Sequence, residues 1–255
     1  ADGHFVLRRA WPKKEGPEQE GRSESLGRVT AVLAFLVMSL DWQPVELLKA
    51  DHFGRVERGY LSEIGPETAL IGRNTSVAPW YVRRFARFLA RREACALQKL
   101  EGMPGIPRWK SWQDGLLVRS YLEGQPMHVA RPKDPAWFAQ AQRFLVEMHR
   151  RGVVHNDLAK EPNWMVTPDG LPALVDFQLA TLHSKRGRWF RHAAREDLRH
   201  LLKHKRTYCP QALTARECRL LKQAGWVAQL WRWTGKPVYL GLTRGLLGWS
   251  DREGA

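Results

Sequence analysis

The apolar positions change period along the chain, and the changes mark its elements. From Pro44 onward the pattern is one of short apolar segments broken by glycine-containing turns, VELLKADHFGRVERGYL and then ETALIGR, as expected of a small twisted antiparallel sheet. Residues 80–101 switch to a helical period. Val82, Phe85, Leu89, Ala96 and Leu100 share one face, Arg83, Arg84, Arg87, Arg91 and Arg92 fall largely elsewhere, and Gly102 is the stop. Strands return at 107–112 and 116–122 around a Gln113-Asp114-Gly115 turn, so the order is strand, strand, strand, helix, strand, strand. A second helix should take Asp134 as its N-cap and Pro135 as its first residue, run through FAQAQRFLVEMHRR and stop at Gly152. Very short strands follow at Val153-Val154, Trp164-Met165-Val166 and Ala173-Leu174-Val175, the last two joined by a Thr167-Pro168-Asp169-Gly170 turn. From Arg191 the chain reads as helical and basic, and it ends in a tryptophan-rich, glycine-punctuated tail. No internal repeat is visible.

Two stretches stand outside this pattern. Residues 12–28 are rich in Pro, Gly, Ser and charge without periodicity, and are expected to be disordered. Residues 29–40 are apolar but too few for a helical membrane span, which needs about 20. Asp41, Trp42 and Gln43 follow in place of a small-residue cleavage site, so a buried or interfacial helix is expected there. At 255 residues and 44% hydrophobic content the chain can fold as two lobes around a cleft without covalent staples. Charge adds more. Lys and Arg number 41 against 26 Asp and Glu, a net +15, so the surface should draw nucleic acid, anionic glycolipid, membrane headgroups or nucleotides. Cys95, Cys209 and Cys218 are odd in number and form no CxxC pair, which reads as reduced structural thiols in a cytosolic setting.

The chemistry concentrates in residues 155–178. His155-Asn156-Asp157-Leu158, Asn163 and Val175-Asp176-Phe177 each sit at the mouth of a short strand, so a tight hairpin brings Asp157, Asn163 and Asp176 together. Two carboxylates and an amide oxygen suit Mg²⁺, which prefers hard oxygen ligands and leaves its other positions to water and substrate phosphates. Turn use of Asp and Asn would explain any one of these residues alone. Their conjunction, after a helix and a glycine, outlines a phosphoryl-transfer site.

On these motifs the sequence resembles the protein-kinase-like superfamily and is most similar to its bacterial RIO-like and lipopolysaccharide-core kinases. The resemblance covers roughly residues 44–205 and is strongest in the catalytic stretch. It implies an α+β, two-lobed fold with a small antiparallel-sheet N-lobe and a mainly helical C-lobe. Residues 1–43 would be an extension, 44–122 the N-lobe, and 123–255 the C-lobe with its basic tail. It further implies that Asp157 accepts the proton of the attacking hydroxyl, that Asn163 and Asp176 hold the metal ions bridging the phosphates, and that His155 supports the loop. Glu93, alone among acids between Thr68 and Leu100, is the candidate to orient a phosphate-binding cation, with a solvent-facing glutamate on an arginine-rich helix as the alternative. Arg73, in Leu70-Ile71-Gly72-Arg73, occupies the slot of the family's lysine; it can grip phosphate bidentately but is no simple replacement. Lys49 is a second candidate cation. Tyr121 and Leu122, in the hinge-like stretch 116–124, would set backbone groups against adenine.

Several departures qualify the resemblance. Asp157 and Asn163 stand one residue further apart than the family's spacing, which displaces Lys160 or Glu161. Gln178 replaces the glycine of Asp-Phe-Gly and should reduce the freedom of that segment to flip. The phosphate-covering turn, residues 51–55, has a single glycine. Asn156 replaces the arginine that would meet a phosphorylated activation loop, and no Ala-Pro-Glu follows, so no long peptide-docking segment is expected. Asp197 is open between anchoring the catalytic-loop backbone and a helix-surface salt bridge. His200, His204 and Cys209 have metal-like proximity, but the stretch HLLKHKR reads rather as a basic solvated face.

These readings together imply an ATP- and Mg²⁺-dependent phosphotransferase acting on a hydroxyl of a protein Ser/Thr or a lipopolysaccharide-core sugar. Its partners would be ATP and an anionic glycolipid or protein, in the cytoplasm with peripheral contact at the inner membrane face. A RIO-like ATPase or nucleotide-binding pseudokinase switch is the alternative, favoured by Arg73 and the poor phosphate loop. A kinase-shaped binding module for RNA or membrane is less expected, and nucleic acid is not expected as a partner, because the tryptophans are scattered and the charges fall on helix exteriors.

Overall fold

The computed structural model describes residues 41–222, which lie in one compact unit beginning at Asp41. The expected disorder at 12–28, the apolar helix at 29–40 and the tryptophan-rich tail lie outside the described residues. Strands β1 (Trp42–Asp51), β2 (Gly54–Leu61) and β3 (Leu70–Asn74) precede helix α1 (Trp80–Lys99), and β4 (Trp109–Gln113) and β5 (Leu116–Ser120) follow it. They form one antiparallel sheet in the order β1-β2-β3-β5-β4, which puts β3 at the centre. The turns carry the residues their geometry demands. Asp114 and Gly115 both have positive φ (50° and 87°), the pair a tight two-residue hairpin needs. Thr75 seals this turn by donating from its N–H (2.8 Å) and its hydroxyl (2.7 Å) to the Gly115 carbonyl. Gly54 closes β1 on β2 at φ 127°, where a Cβ would run into the Asn74 carbonyl.

Helix α1 buries Ala86, Leu89, Ala90, Glu93, Ala94 and Leu97, a spacing of three and four residues that makes one continuous stripe. This stripe is rotated from the expected face. Phe85 is 53% exposed, and alanines take the inward positions. Their small side chains let the helix come close to the sheet, which leaves no room for a phenylalanine and carries Glu93 inside.

After β5 the chain enters its helical part through β6 (Gln125–Pro126) and α2 (Met127–Ala130). Helix α3 (Pro135–Arg150) starts as its sequence requires: Asp134 Oδ1 accepts the Ala136 N–H at 2.8 Å, with Pro135 in the first turn. Then come β7 (Val153–Val154), β8 (Trp164–Val166), β9 (Pro172–Leu174), β10 (Thr181–Leu182), α4 (Arg188–Tyr208) and α5 (Ala215–Lys222). The short strands pair as β6-β8-β9 and β10-β7. Trp164, Phe138, Leu145, Met148 and Leu174 are fully buried at the centre of this part. Ala96 and Leu97 of α1 and Leu100, which caps it, join the same cluster, so the helix of the sheet part is also packed into the core of the helical part.

The HLLKHKR stretch of α4 is not a solvated face. Within it His204 and Lys205 are buried, as is Arg199 just before it, because α4 packs against α3 on one side and α5 on another. Each has a partner: Arg199 holds Glu196 at 2.7 Å, Lys205 holds Glu217 of α5 at 2.8 Å, and the His204 Nε2–H donates to the Leu158 carbonyl at 2.8 Å. His200 differs, since its Nδ1 is buried with no hydrogen-bond partner among the described residues. Burial, aided by nearby Lys203 and Arg199, pushes the His200 imidazole from 6.5 down to about 4.

That depression fixes the sign of a pH effect. The unfolded chain takes up the His200 proton near 6.5 and the folded chain only near 4, so the contribution is complete above pH 6.5 and is lost as pH falls toward 4. The loss should reach about 3 kcal/mol. Urea unfolding between pH 7 and 4 should show it, and His200→Gln should flatten that part of the profile; an unchanged slope in the variant would contradict this assignment.

Candidate active site

The loop between β7 and β8 carries His155, Asp157 and Asn163, and it is fixed from three directions. Asp197 of α4, 1% exposed, accepts the backbone N–H of His155 (2.8 Å) and of Asn156 (3.0 Å) and meets His149 Nε2 at 3.1 Å. Of the two readings left open for Asp197, the structure therefore selects the backbone anchor. His155 is fully buried; its Nε2–H donates to the Val175 carbonyl at 3.0 Å and its ring lies 4.7 Å from that of Phe177. Asn156 sits at φ 66°, which an Asn tolerates, and its amide donates to Leu179 O (2.9 Å) and Thr181 Oγ1 (3.0 Å).

A 3₁₀ turn at Glu161–Asn163, with Pro162 inside it, absorbs the extra residue between Asp157 and Asn163. Glu161 opens this turn. It turns toward α4, accepts the Tyr208 hydroxyl at 2.6 Å and faces His204 at 3.7 Å. Burial and that hydrogen bond push the Tyr208 phenol up to about 12. Lys160 places its Nζ 3.3 Å from Asp157 Oδ2. Asn163 Nδ2 donates to both the carbonyl (2.9 Å) and the carboxylate (3.1 Å) of Asp157, and the Asn163 carbonyl accepts the Val175 N–H at 3.0 Å. That backbone bond sets Asn163 beside the strand end that presents Asp176. Asp176 is held at φ 64°, a conformation a non-glycine residue adopts at a cost, and its side chain is 37% exposed.

The sheet part contributes a chain of ion pairs. Glu93 of α1 is wholly buried, with Oε2 3.2 Å from Arg73 Nε and Oε1 3.1 Å from Arg119 Nε; the contacts are ion pairs, not aligned hydrogen bonds. This excludes the solvent-facing alternative for Glu93. Arg73 on β3 and Arg119 on β5 reach it from adjacent strands, since Arg119 stands opposite Ile71 and Arg73 opposite Leu117. Burial lowers the Arg119 pKa, and the Glu93 charge opposes that shift. The Arg73 guanidinium extends further. Its Nη2 lies 3.8 Å from Asp176 Oδ1, and the Gln178 side-chain oxygen, in the amide orientation that avoids N–H facing N–H, accepts from its Nε (3.2 Å) and Nη2 (2.6 Å). Arg92 adds a neutral tie, donating to the carbonyls of Leu179 and Ala180 at 2.8 Å each and fastening α1 to the 3₁₀ turn Phe177–Leu179.

The structure thus groups Arg73, Glu93 and Asp176, and groups Asp157 with Asn163 over His155. Lys49 does not join them. It lies on β1, an edge strand with a bulge between Leu47 and Lys49, and pairs with Asp51 at 3.4 Å with its side chain 67% exposed. The Tyr121 N–H is already given to the Ala69 carbonyl at 3.2 Å, the Tyr121 ring carries the Arg58 guanidinium at 5.0 Å, and among the described residues no backbone N–H is given to its carbonyl. Leu122 follows it, half-buried.

As a metal site, one Asn oxygen and one carboxylate are hard donors that leave most coordination positions to water and phosphate. Among the described residues no group of three or more His, Cys, Asp or Glu could hold a metal by itself. The residues fit a cation that brings phosphate ligands with it, not a resident ion in a protein cage. Sequence reasoning missed Arg119, Gln178 and Arg92. Arg119 had a signal, a charge in the middle of the apolar strand LLVRSYL; nothing sets Arg92 apart from the other arginines of α1.

A sequence profile of the APH phosphotransferase enzyme family matches residues 1–184. This family lies within the protein-kinase-like superfamily. The match includes Arg73, Glu93, Asp157, Asn163 and Asp176 and ends before α4, which supplies Asp197. No curated protein matches the chain.

Removing Arg119 leaves Glu93 with one partner in a dry site. Arg119→Met should lower the unfolding free energy by about 3 kcal/mol in urea denaturation, and a loss under about 0.5 kcal/mol, the range of an ordinary surface substitution, would show that Arg73 alone compensates Glu93.

Proposed function

Because the chain belongs to the APH phosphotransferase enzyme family, we propose that this cleft transfers the γ-phosphoryl group of ATP to a hydroxyl of an anionic acceptor. One observation supports a working site above all: the Arg73–Glu93 pair is formed and reaches Asp176 across the cleft. In this reading Asp157 accepts the proton of the attacking hydroxyl. Its carboxylate is held by Asn163 Nδ2 and Lys160, so it keeps one orientation, and the loop behind it is pinned to Asp197. Arg73 faces the phosphates, with Glu93 and Arg119 fixing its direction. Members of the family generally use ATP and Mg²⁺. Asn163 and Asp176 would hold Mg²⁺ here, and the ion would offset phosphate charge. Leu122 and the Tyr121 carbonyl would meet the adenine. Residues 44–122 and 123–255 would act as the two lobes, with 1–43 as an extension.

The acceptor follows from what separates Asp176 from α4. Only residues 177–187 intervene, and of these 177–179 form a 3₁₀ turn and 181–182 pair with β7. That leaves little chain on which an extended peptide could dock. We therefore favour a non-peptide hydroxyl, such as a lipopolysaccharide-core sugar, over a protein Ser/Thr, and the net charge of +15 suits an anionic acceptor. A cytoplasmic enzyme working at the inner membrane face is the matching location; no described helix is long and apolar enough to cross a membrane. One observation favours the second reading, a nucleotide-gated switch: Gln178 and Asp176 already occupy part of the Arg73 fork.

Labelled ATP with purified lipopolysaccharide core and with a generic protein acceptor separates these readings. Transfer to the sugar should occur and should fall by about a hundredfold to ten-thousandfold in Asp157→Ala, with ATP still bound. Transfer that survives in Asp157→Ala would overturn the assigned base, and ATP turnover with no labelled acceptor would favour the switch.

A further inference from the structure

Helix α1 turns a second face outward, and its composition is unlike that of an ordinary solvated helix. Trp80 is 82% exposed, Tyr81 56%, and Phe85 and Phe88 53% each. Surface helices normally cover such area or replace it with polar side chains. The rings form two groups on this face: Trp80 meets Tyr81 at 5.9 Å, while Phe85 stacks on Phe88 at 6.3 Å and touches Phe53 of the β1–β2 turn at 6.0 Å. Beside these rings along the axis runs a row of arginines. Arg84, Arg87 and Arg91 recur at three- and four-residue steps and are exposed. Arg87 reaches the Asp114 carbonyl, whereas Arg84 and Arg91 have no ion pair among the described residues. The helix has no outward acid to balance them, since its single acidic residue, Glu93, is buried.

We propose that this face of α1 docks the protein on a bilayer surface bearing anionic headgroups. Charge complementarity selects the partner class, because an unbalanced arginine row calls for anions. The adjoining aromatic rings call for an apolar layer within a side chain's length of those anions, and the headgroup–acyl boundary offers both together. A nucleic-acid strand would also suit arginine and aromatic rings, but strand binding uses a groove that tracks the backbone and open ring faces for the bases. Here the surface is a convex helix, and the Phe88 ring is already shared between Phe85 and the Arg92 guanidinium at 5.5 Å. Docking in this way sets the β1–β2 turn, through Phe53, against the membrane. The inference stands apart from the phosphoryl-transfer reading, because it is tested without nucleotide.

The test is flotation of the full chain with vesicles of phosphatidylcholine alone and with about a third phosphatidylglycerol, the anionic fraction supplying the surface potential. Wild type should float with the anionic vesicles only, and should be released at about 1 M salt. Arg84→Gln with Arg91→Gln should weaken vesicle binding roughly thirtyfold, at about 1 kcal/mol per arginine, and Phe88→Ser should weaken it by about tenfold. Circular dichroism melts matching wild type show that both variants are folded. Wild type that does not float, or variants that float as wild type does because the basic tail beyond residue 222 carries the binding, would overturn the proposal. So would variants that lose binding to single-stranded RNA while vesicle binding is absent throughout.

Discussion

A carboxylate taken wholly out of water must be compensated, and Glu93 is compensated twice. The requirement shapes the sheet part of the molecule. Arg73 and Arg119 can meet one carboxylate only if β3 and β5 are neighbours in the observed register, and Glu93 can reach them only if α1 lies close on the sheet. Alanines at 86, 90 and 94 permit that approach. Two guanidinium groups on one carboxylate leave a positive charge over, and Asp176 answers it from the helical part at 3.8 Å. An arginine rather than a lysine at residue 73 has a physical sense here. One ammonium is a single charged centre, whereas the Arg73 fork turns Nε toward Glu93 and Nη2 toward Asp176 and Gln178 at once.

On the other side of the cleft the organising group is Asp197. Its carboxylate takes the two backbone N–H groups that a tight loop at Asn156, φ 66°, would otherwise leave unpaired. Asp157 and Asn163 are then held to each other by side-chain and backbone bonds, and His155 couples the loop to the strand before Asp176. Arg92 joins the two sides by fastening α1 to the carbonyls of Leu179 and Ala180.

Local chemistry made much of the fold legible. Asp114-Gly115, Asp134-Pro135 and the Thr167–Gly170 turn each specify one backbone geometry, and each adopts it. The loop motif likewise announced itself through residue types that few other sites combine. What was not legible depended on tertiary packing. Alanine is neutral in a hydrophobic pattern, so the inward stripe of α1 was assigned to Phe85, which the close approach of helix and sheet expels. HLLKHKR looked solvated because its two buried basic side chains find their partners far away in sequence, Lys205 on α5 and His204 at the Leu158 carbonyl. Lys49 looked available because sequence shows strand membership but not that the strand lies at an edge. Gln178 read as a lost glycine, yet its amide gained a role against Arg73 that no local signal contains.

The central claim is that buried Glu93 holds Arg73 ready for phosphate. Calorimetric titration of ATP with Mg²⁺ into wild type and Glu93→Gln, with thermal melts to establish that the variant folds, addresses it most directly. The account predicts that a folded Glu93→Gln binds ATP at least about tenfold more weakly, a loss of about 1.4 kcal/mol. Equal affinity in the folded variant would show that Arg73 needs no such support and would contradict it.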